Sequence, residues 1–438
     1  MTMQATITYN GITINLQTGG SQIVDGYYPA TIKDTDESVS EQMDLWYYGS
    51  NISGYNRSIN RALEYARLHN DDDDGVYFNW SIDSSTPTWR TRIINGQVQL
   101  DSKLDHRYRR GRALLRLVFL HTPWWEGPEA QTPLTNPNGN NNTTGLRVYN
   151  CNDGSGSAPN KRVMYADIAA ASVDGDLPGA TRLEMTSEYS PDSMYKFWIG
   201  QSWHTPASFV PLYEFSGTSN AAASGGAQQQ SMVQPGWQVS LGSWTISEAT
   251  VNAARGQFVK PILRFLDGNT DILLQYSITL LAGSVAIWAG QTVKQDPNAS
   301  GVLFEFPTFR LPPRPVAIGG LSSLTLTLRA YNPTANNVTV NLDCLYLVPV
   351  DGYRKLITSA PVATNQQVVD DGINNVTYVI NSISRKIPSA RSIGSPITLW
   401  PATDQRLYFL LGSNTMNTSP VSASALVKLF YRPRRYNL

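Results

Sequence analysis

Four arginines crowd into six positions in DHRYRRGRALLRLVFLHTPWWEG, residues 105–127: Arg107, Arg109, Arg110 and Arg112. Forked guanidinium groups at this density pair with phosphate or with carboxylate. The whole chain weighs on that choice, because Lys plus Arg and Asp plus Glu both number 34 in 438 residues and only 16% of residues are charged. A chain without excess positive charge draws neither nucleic acid nor an anionic membrane, so specific nucleic-acid binding is not expected. The run Asp71, Asp72, Asp73 and Asp74 supplies the opposite sign. The expected use of the two clusters is a contact between copies of the chain, arginines of one meeting aspartates of the next.

That aspartate run also lies in NDDDDG, Asn70 to Gly75, which begins like a calcium loop. Its twelfth position is Ser81 rather than a glutamate able to bind through both oxygens, and strand-like VYFNW follows at once. A solvated acidic turn is the expected reading, with no metal and no cofactor. The four histidines, His69, His106, His121 and His204, fall in no zinc-binding spacing. Ser202 and His204 stand two apart in GQSWH without the flanking glycines of a nucleophile elbow. No catalytic residue is assigned, and no enzymatic activity is expected. Aromatic rings can stack on sugars, and Trp198, Trp203, Trp237 and Trp244 fall in the middle of the chain as candidates for glycan contact.

The elements that must position these residues are mostly strands. In ATITYNGITINL, Asn10-Gly11 suits a two-residue type I′ turn. Pairing around it sets Tyr9 opposite Ile12, Ile7 opposite Ile14 and Ala5 opposite Leu16, with Thr8 on Thr13 and Thr6 on Asn15. One face is apolar and the other polar, which is the pattern of a hairpin lying on a core. One helix is predicted near 56–69, since Ile59, Ala62, Leu63 and Ala66 recur at helical spacing, and it should end by His69 because aspartates are unfavourable at a helix C-terminus. The run Ala113 to Leu120 is apolar on both parities except Arg116, which predicts burial between layers.

In LTLTLRAYN, Leu324, Leu326 and Leu328 alternate with polar residues, and Val338, Val340, Leu342, Cys344 and Tyr346 share a parity in the next strand, making Cys344 a buried thiol. Residues 131–160, rich in Asn, Gly, Ser and Pro, read as a linker or long loop. Ile272 to Gly290 approaches the length of a membrane span, but its polar residues favour a hairpin turning at Gly283 and Ser284. Two cysteines cannot build a disulfide framework. The first twenty residues lack the basic and apolar regions of a secretory signal, which predicts a product made in a cytoplasm. Many short strands separated by turn residues make the fold class mainly β, of sandwich or jelly-roll type.

The order of WRTRIINGQVQL, ALLRLVFLHTPWWEG, DGDLPGATRLEM, LDCLYLVPVDGYRKL, PITLWPATDQRLYFLL and VKLFYRPRRY resembles that of the distal tail (tail tip) proteins of long-tailed bacteriophages, in their larger form with an inserted carbohydrate-binding-module-like domain. The resemblance spans most of the chain and implies a structural virion protein. Residues 1–130 would be a tail-tube-like β-sandwich with the helix, 161–349 a jelly-roll or galectin-like β-sandwich, and 350–438 a β segment completing the ring domain. It further implies a ring, hexameric in that family, joining the tail tube protein to the tail hub or other tail-tip proteins. Its location would be the phage tail of a virion assembled in the host cytoplasm, and the inserted domain could contact host-surface glycans. The alternative function is a carbohydrate-binding adhesin or lectin.

Overall fold

The computed structural model describes all residues except 1–3, 18–20, 25–26, 28, 34–35, 70–74, 83–85, 101–112, 142, 189–193, 204–211, 248–255, 269–272, 283, 296–301, 312–322, 389 and 413–421. It is nearly all β. Its strands form sheets of nine, seven, eight, seven and four strands among the described residues, and the chain divides into two compact units.

The first unit comprises Met1–Ala130, Asp174–Gly179 and Tyr431–Leu438. Its sheet runs in the order Ile12–Asn15, Gln4–Tyr9, Val76–Ser81, Trp89–Leu100, Ala113–His121, Val39–Tyr47 and Ser21–Ile23. The N-terminal hairpin has the register its side chains demand, with Thr6 on Asn15, Ile7 on Ile14, Thr8 on Thr13 and Tyr9 on Ile12. Asn10 and Gly11 take the positive φ that a type I′ turn requires. Ala5, Ile7, Ile14 and Leu16 enter the core, while Ile12 at the turn stays exposed.

The helix spans Ile52–Leu68, starting a turn earlier than the apolar spacing indicates. Asn51 caps it by accepting from the Gly54 amide at 2.9 Å, and Tyr55 in that first turn stacks on Tyr47 with ring centroids 4.6 Å apart. Its buried residues are Ile59, Ala62, Leu63 and Ala66, and burying Ile59 and Leu63 stabilises the packing by about 1.5–3 kcal/mol each. Leu63 sits over Gly96, where an added Cβ would lie 2.9 Å from its Cδ2 and 2.8 Å from the Val118 carbonyl. Asn95-Gly96, unlike Asn10-Gly11, is not in a turn. It lies within one strand, beside a bulge, where the helix approaches the sheet backbone.

Ala113–His121 departs from the expectation of burial on both faces. Ala113, Leu115, Leu117, Phe119 and His121 are buried, but the other parity is half-buried or exposed, and Arg116 pairs with Asp44 across the sheet at 2.9 Å. An apolar residue on the outer parity of an antiparallel sheet does not by itself require a second layer.

The second unit comprises Gln131–Val173 and Ala180–Phe430. A four-stranded sheet of Gln238–Ser247, Ser323–Tyr331, Leu273–Ala282 and Val285–Gln295 faces a sheet containing Ala227–Val233, Val338–Pro349 and Phe258–Gly268. Ile278, Leu280, Leu326, Leu328, Leu345 and Leu347 pack together in the core these sheets share. Leu273–Ala282 and Val285–Gln295 pair as the hairpin expected in place of a membrane span, and no helix among the described residues is long and apolar enough to cross a membrane.

Val338–Pro349 is buried on both faces from Leu342 onward. Its Cys344, Tyr346 and Val348 pack with Ile262, Trp198 and Leu410, so this strand serves a second core on its other side. Cys344 is a buried free thiol, as its parity predicts, and burial pushes its ionisation up.

Two boundaries differ from the sequence reading. Residues 131–160 are no linker: strands Ala130–Thr132, Thr135–Asn136, Gly139–Asn140 and Leu146–Tyr149 lie there. The asparagines that suggest a loop act as hydrogen-bonding braces. Asn136 Nδ2 donates to Arg147 O and Tyr165 O, each at 3.0 Å, and Asn138 Nδ2 donates to Lys161 O at 2.7 Å.

Nor do residues 350–438 as a whole complete the first sheet. Only 431–438 belong to the first unit, because Gly352–Val362 turns straight back from the preceding strand and pairs along Met194–Ser202. The segment 161–349 is accordingly not one sandwich. Residues 212–349 supply the inner pair of sheets, and the strands before Trp203 pair with those after Gly352.

Candidate functional site

The four tryptophans do not share a platform. Trp198 is buried, with its Nε1 donating to Glu305 Oε1 at 2.8 Å, so it is a core residue and presents no ring to a ligand. Trp244 is half-buried against Phe215, with ring centroids 4.9 Å apart. Trp237 stands 66% exposed after a turn at Gly236. Arg107, Arg109, Arg110, Arg112 and Asp71 to Asp74 lie outside the described residues.

Trp203 is different, because it meets a ring that sequence reading did not single out. Its ring centroid lies 5.0 Å from that of Trp400, at an interplanar angle of 57°, and Trp400 is 39% exposed. Trp203 follows Met194–Ser202, and Trp400 sits in the turn between Thr398–Leu399 and Gln405–Gly412. Buried Gln405 fixes that turn. Its Nε2 donates to Trp400 O at 2.9 Å and Thr403 O at 3.3 Å, while its Oε1 accepts from Trp400 N at 3.2 Å and Gln201 Nε2 at 2.9 Å. Ala402 in the same turn takes a left-handed φ of 52°, a conformation that alanine rarely adopts.

Asp351 Oδ2 accepts from the backbone N of Trp203 at 3.1 Å and from Gln257 Nε2 at 2.9 Å, and Gln257 also donates to Ser202 Oγ at 2.6 Å. Gln201 and Gln257 are fully buried. Gln201 Oε1, Gln257 Oε1 and Trp203 Nε1 have no hydrogen-bond partner among the described residues. The sequence signal that could have pointed here is PITLWPATDQ, a tryptophan presented on a Pro-rich turn after a strand.

One hydroxyl, imidazole and carboxylate set does come together, and it is sealed. His121 Nδ1 lies 2.8 Å from Thr91 Oγ1 and 2.6 Å from Thr122 O, and its Nε2 lies 3.5 Å from Glu41 Oε1. Glu41 also accepts from Ala30 N at 2.7 Å and Tyr27 OH at 3.0 Å. Thr91, His121 and Glu41 are at most 2% exposed, so no substrate reaches them, and the set braces the first unit's core.

Glu305 gathers Lys355, Lys260, Trp198 and Tyr353 around one carboxylate. Burial pushes it up, but the lysines and the indole N–H outweigh that and hold it at about 2. In the first unit a shallow depression of about 330 Å³ is lined by Ser40, Asn95, Gly96, Gln97, Val118, Phe119 and Leu120, none of them able to move a proton near neutral pH. Among the described residues no three His, Cys, Asp or Glu side chains gather where a metal ion could sit.

No protein family matches the chain, and no curated protein matches it. Among solved structures it has slight similarity to three from infectious bursal disease virus. Against the Gx strain structure the identity is 8% and the TM-score 0.19, over 58% of this chain and 63% of that one, so less than two thirds of that relative is spanned. Against the Gt strain structure the values are 9% and 0.21, over 70% and 81%. Against the virus-derived T=1 particles they are 8% and 0.21, over 99% and 77%. At such TM-scores these similarities decide nothing about fold or function.

Proposed function

We propose that this chain is a non-enzymatic structural protein of a virion, a ring-forming component of a phage tail tip that joins the tail tube to the hub or adsorption apparatus. The observation that supports this reading is the order of the two units. An N-terminal β unit carrying one helix is interrupted after Ala130 by a large β unit and rejoined by Asp174–Gly179 and Tyr431–Leu438.

The returning segment is locked into the first unit. Arg434–Arg435 pairs with Trp125–Glu126, and Arg434 holds Glu126 through two nitrogens at 2.8 and 3.1 Å. Arg435 Nη2 lies 2.8 Å from both carboxylate oxygens of Asp174. Burial pushes Glu126 up, but Arg434 and Arg90 outweigh it and hold the carboxyl below its ordinary range.

Rings require heterologous contacts, in which two different patches of each subunit meet. In this reading Arg107 to Arg112 and Asp71 to Asp74 are those patches. The mass of the purified protein in solution tests the reading. A closed oligomer, expected to hold six chains, that falls apart on charge reversal at Arg109 and Arg110 supports it. A monomer at all concentrations, or a ring indifferent to the reversal, refutes the ring or the assigned contact respectively.

A further inference from the structure

We infer that successive copies of this chain join by a knob and a socket. Leu68, at the end of the helix in one copy, seats in the depression that Ser40, Asn95, Gln97, Val118 and Leu120 form in the first unit of the next. The inference rests on the ring reading and gives it a contact among the described residues.

The two halves lie on opposite faces of one sheet. Leu63 and Phe119 share a core and both close on Gly96, so the helix Ile52–Leu68 covers the face to which Phe119 points. Val118 and Leu120 follow the other parity of Ala113–His121. Gln97 stands opposite Val118, and Ser40 and Asn95 stand opposite Leu120, so all five side chains belong to the face without the helix. A copy cannot reach its own depression with its own helix end. Joined head to tail, each copy fills the next, which is the heterologous contact that can close a ring.

The knob stands out among the apolar side chains of its unit. Leu68 is 64% exposed, above Ile82 at 55%, Ile12 at 49% and Tyr48 at 40%. One exposed leucine is ordinary on any protein. This one has a rigid mount, as the last residue of a 17-residue helix capped at Asn51, and a socket of matching character. The depression, about 330 Å³, has an apolar floor of Val118, Phe119 and Leu120 and a neutral rim of Ser40, Asn95 and Gln97. Shallow and uncharged, it suits a protruding apolar side chain better than an ion, or a small molecule, which needs enclosure. Asn95 Oδ1 accepts from Gly96 N at 2.8 Å, which leaves Nδ2 as the donor. The last carbonyls of a helix lack partners within the helix and can accept from such a rim.

Chain order ties both halves to the charged runs. Leu68 precedes Asp71 by three residues, and Ala113 follows Arg112 directly. The acidic run is thus attached to the knob and the basic run to the strand that carries the socket. An apolar centre with a charged margin is the ordinary composition of a subunit contact.

The test mixes chains carrying Leu68→Cys with chains carrying Gln97→Cys and oxidises them. Both positions are exposed, and the native Cys151 and Cys344 are buried. Disulfides should join one variant to the other and stop at pairs, with none in either variant alone, because a bridge requires Cα atoms within about 7 Å. The double variant should build a ladder of linked chains that ends at the size of the ring. In the otherwise native chain, Leu68→Ala should raise the concentration needed for assembly by about tenfold or more, read by mass photometry, while Ile12→Ala leaves it unchanged.

A ring that forms without cross-links, that ignores Leu68→Ala or that is lost in Ile12→Ala instead overturns this contact and leaves the ring standing. So do links within one variant alone, which mean that like meets like. Links that extend into open polymers keep the contact and refute the ring. A chain that stays monomeric at every concentration overturns both.

Discussion

Glu305 should act as an acid-sensitive fastener of the second unit. Its side chain is 22% exposed and receives Trp198 Nε1 at 2.8 Å, Lys260 Nζ at 3.2 Å, Tyr353 OH at 3.3 Å and the Lys355 ammonium. The folded chain holds this carboxyl at about 2 against an ordinary 4.5. A depressed carboxyl stabilises the fold fully above the unfolded value and loses that contribution as pH falls toward the folded value. The gap corresponds to about 3 kcal/mol.

Denaturant unfolding of the wild-type chain and Glu305→Gln at about pH 7, 4.5 and 2.5 would measure it, the last point lying low in the window between the two ionisations. Glu305→Gln should be less stable by about 3 kcal/mol at the first two, and the gap should shrink to about 1 kcal/mol at the lowest. A gap that stays constant with pH, or no gap at all near neutrality, would refute the assignment of the linkage to this carboxyl.

Two further substitutions probe buried polar groups. Arg264 and Asp343 are 2% and 0% exposed in their side chains and paired to each other, with Arg264 Nη1 also donating to Ala222 O at 3.0 Å. Arg264→Met strands the carboxylate and should cost about 3–5 kcal/mol, most of it recovered in the double variant with Asp343→Leu, as read by a double-mutant cycle of unfolding free energies. Glu41→Ala removes the acceptor for Ala30 N and Tyr27 OH and should cost about 1–3 kcal/mol. Limited proteolysis should then show faster cleavage around Ala30.

Local rules were legible wherever a few neighbouring residues settled the outcome. Asn10-Gly11 and the alternation around it specify the first hairpin down to its register, and the spacing of Ile59, Ala62, Leu63 and Ala66 specifies the buried stripe of the helix. Longer-range pairing was not legible. Gly352–Val362 has the same alternation whether it lies against Met194–Ser202 or in the first sheet, and only the partner strand decides. Asparagine density misled for a related reason, since Asn136 and Asn138 satisfy distant carbonyls and composition cannot show which ones. The Trp203–Trp400 pair joins rings nearly two hundred residues apart in sequence, roughly the separation that puts a contact beyond any local pattern.

The nesting of strands has a temporal consequence. Synthesis delivers Met194–Ser202 well before its neighbours Gly352–Val362 and Gln405–Gly412. At about 5–20 residues per second, that strand waits on the order of ten seconds for the first of them. The residues of the 212–349 sandwich have all been made by then, while Met194–Ser202 still lacks both of its partner strands. The nascent chain therefore passes through a stage in which a fully synthesised module hangs beside half-built sheets, the stage at which a chaperone has most to offer.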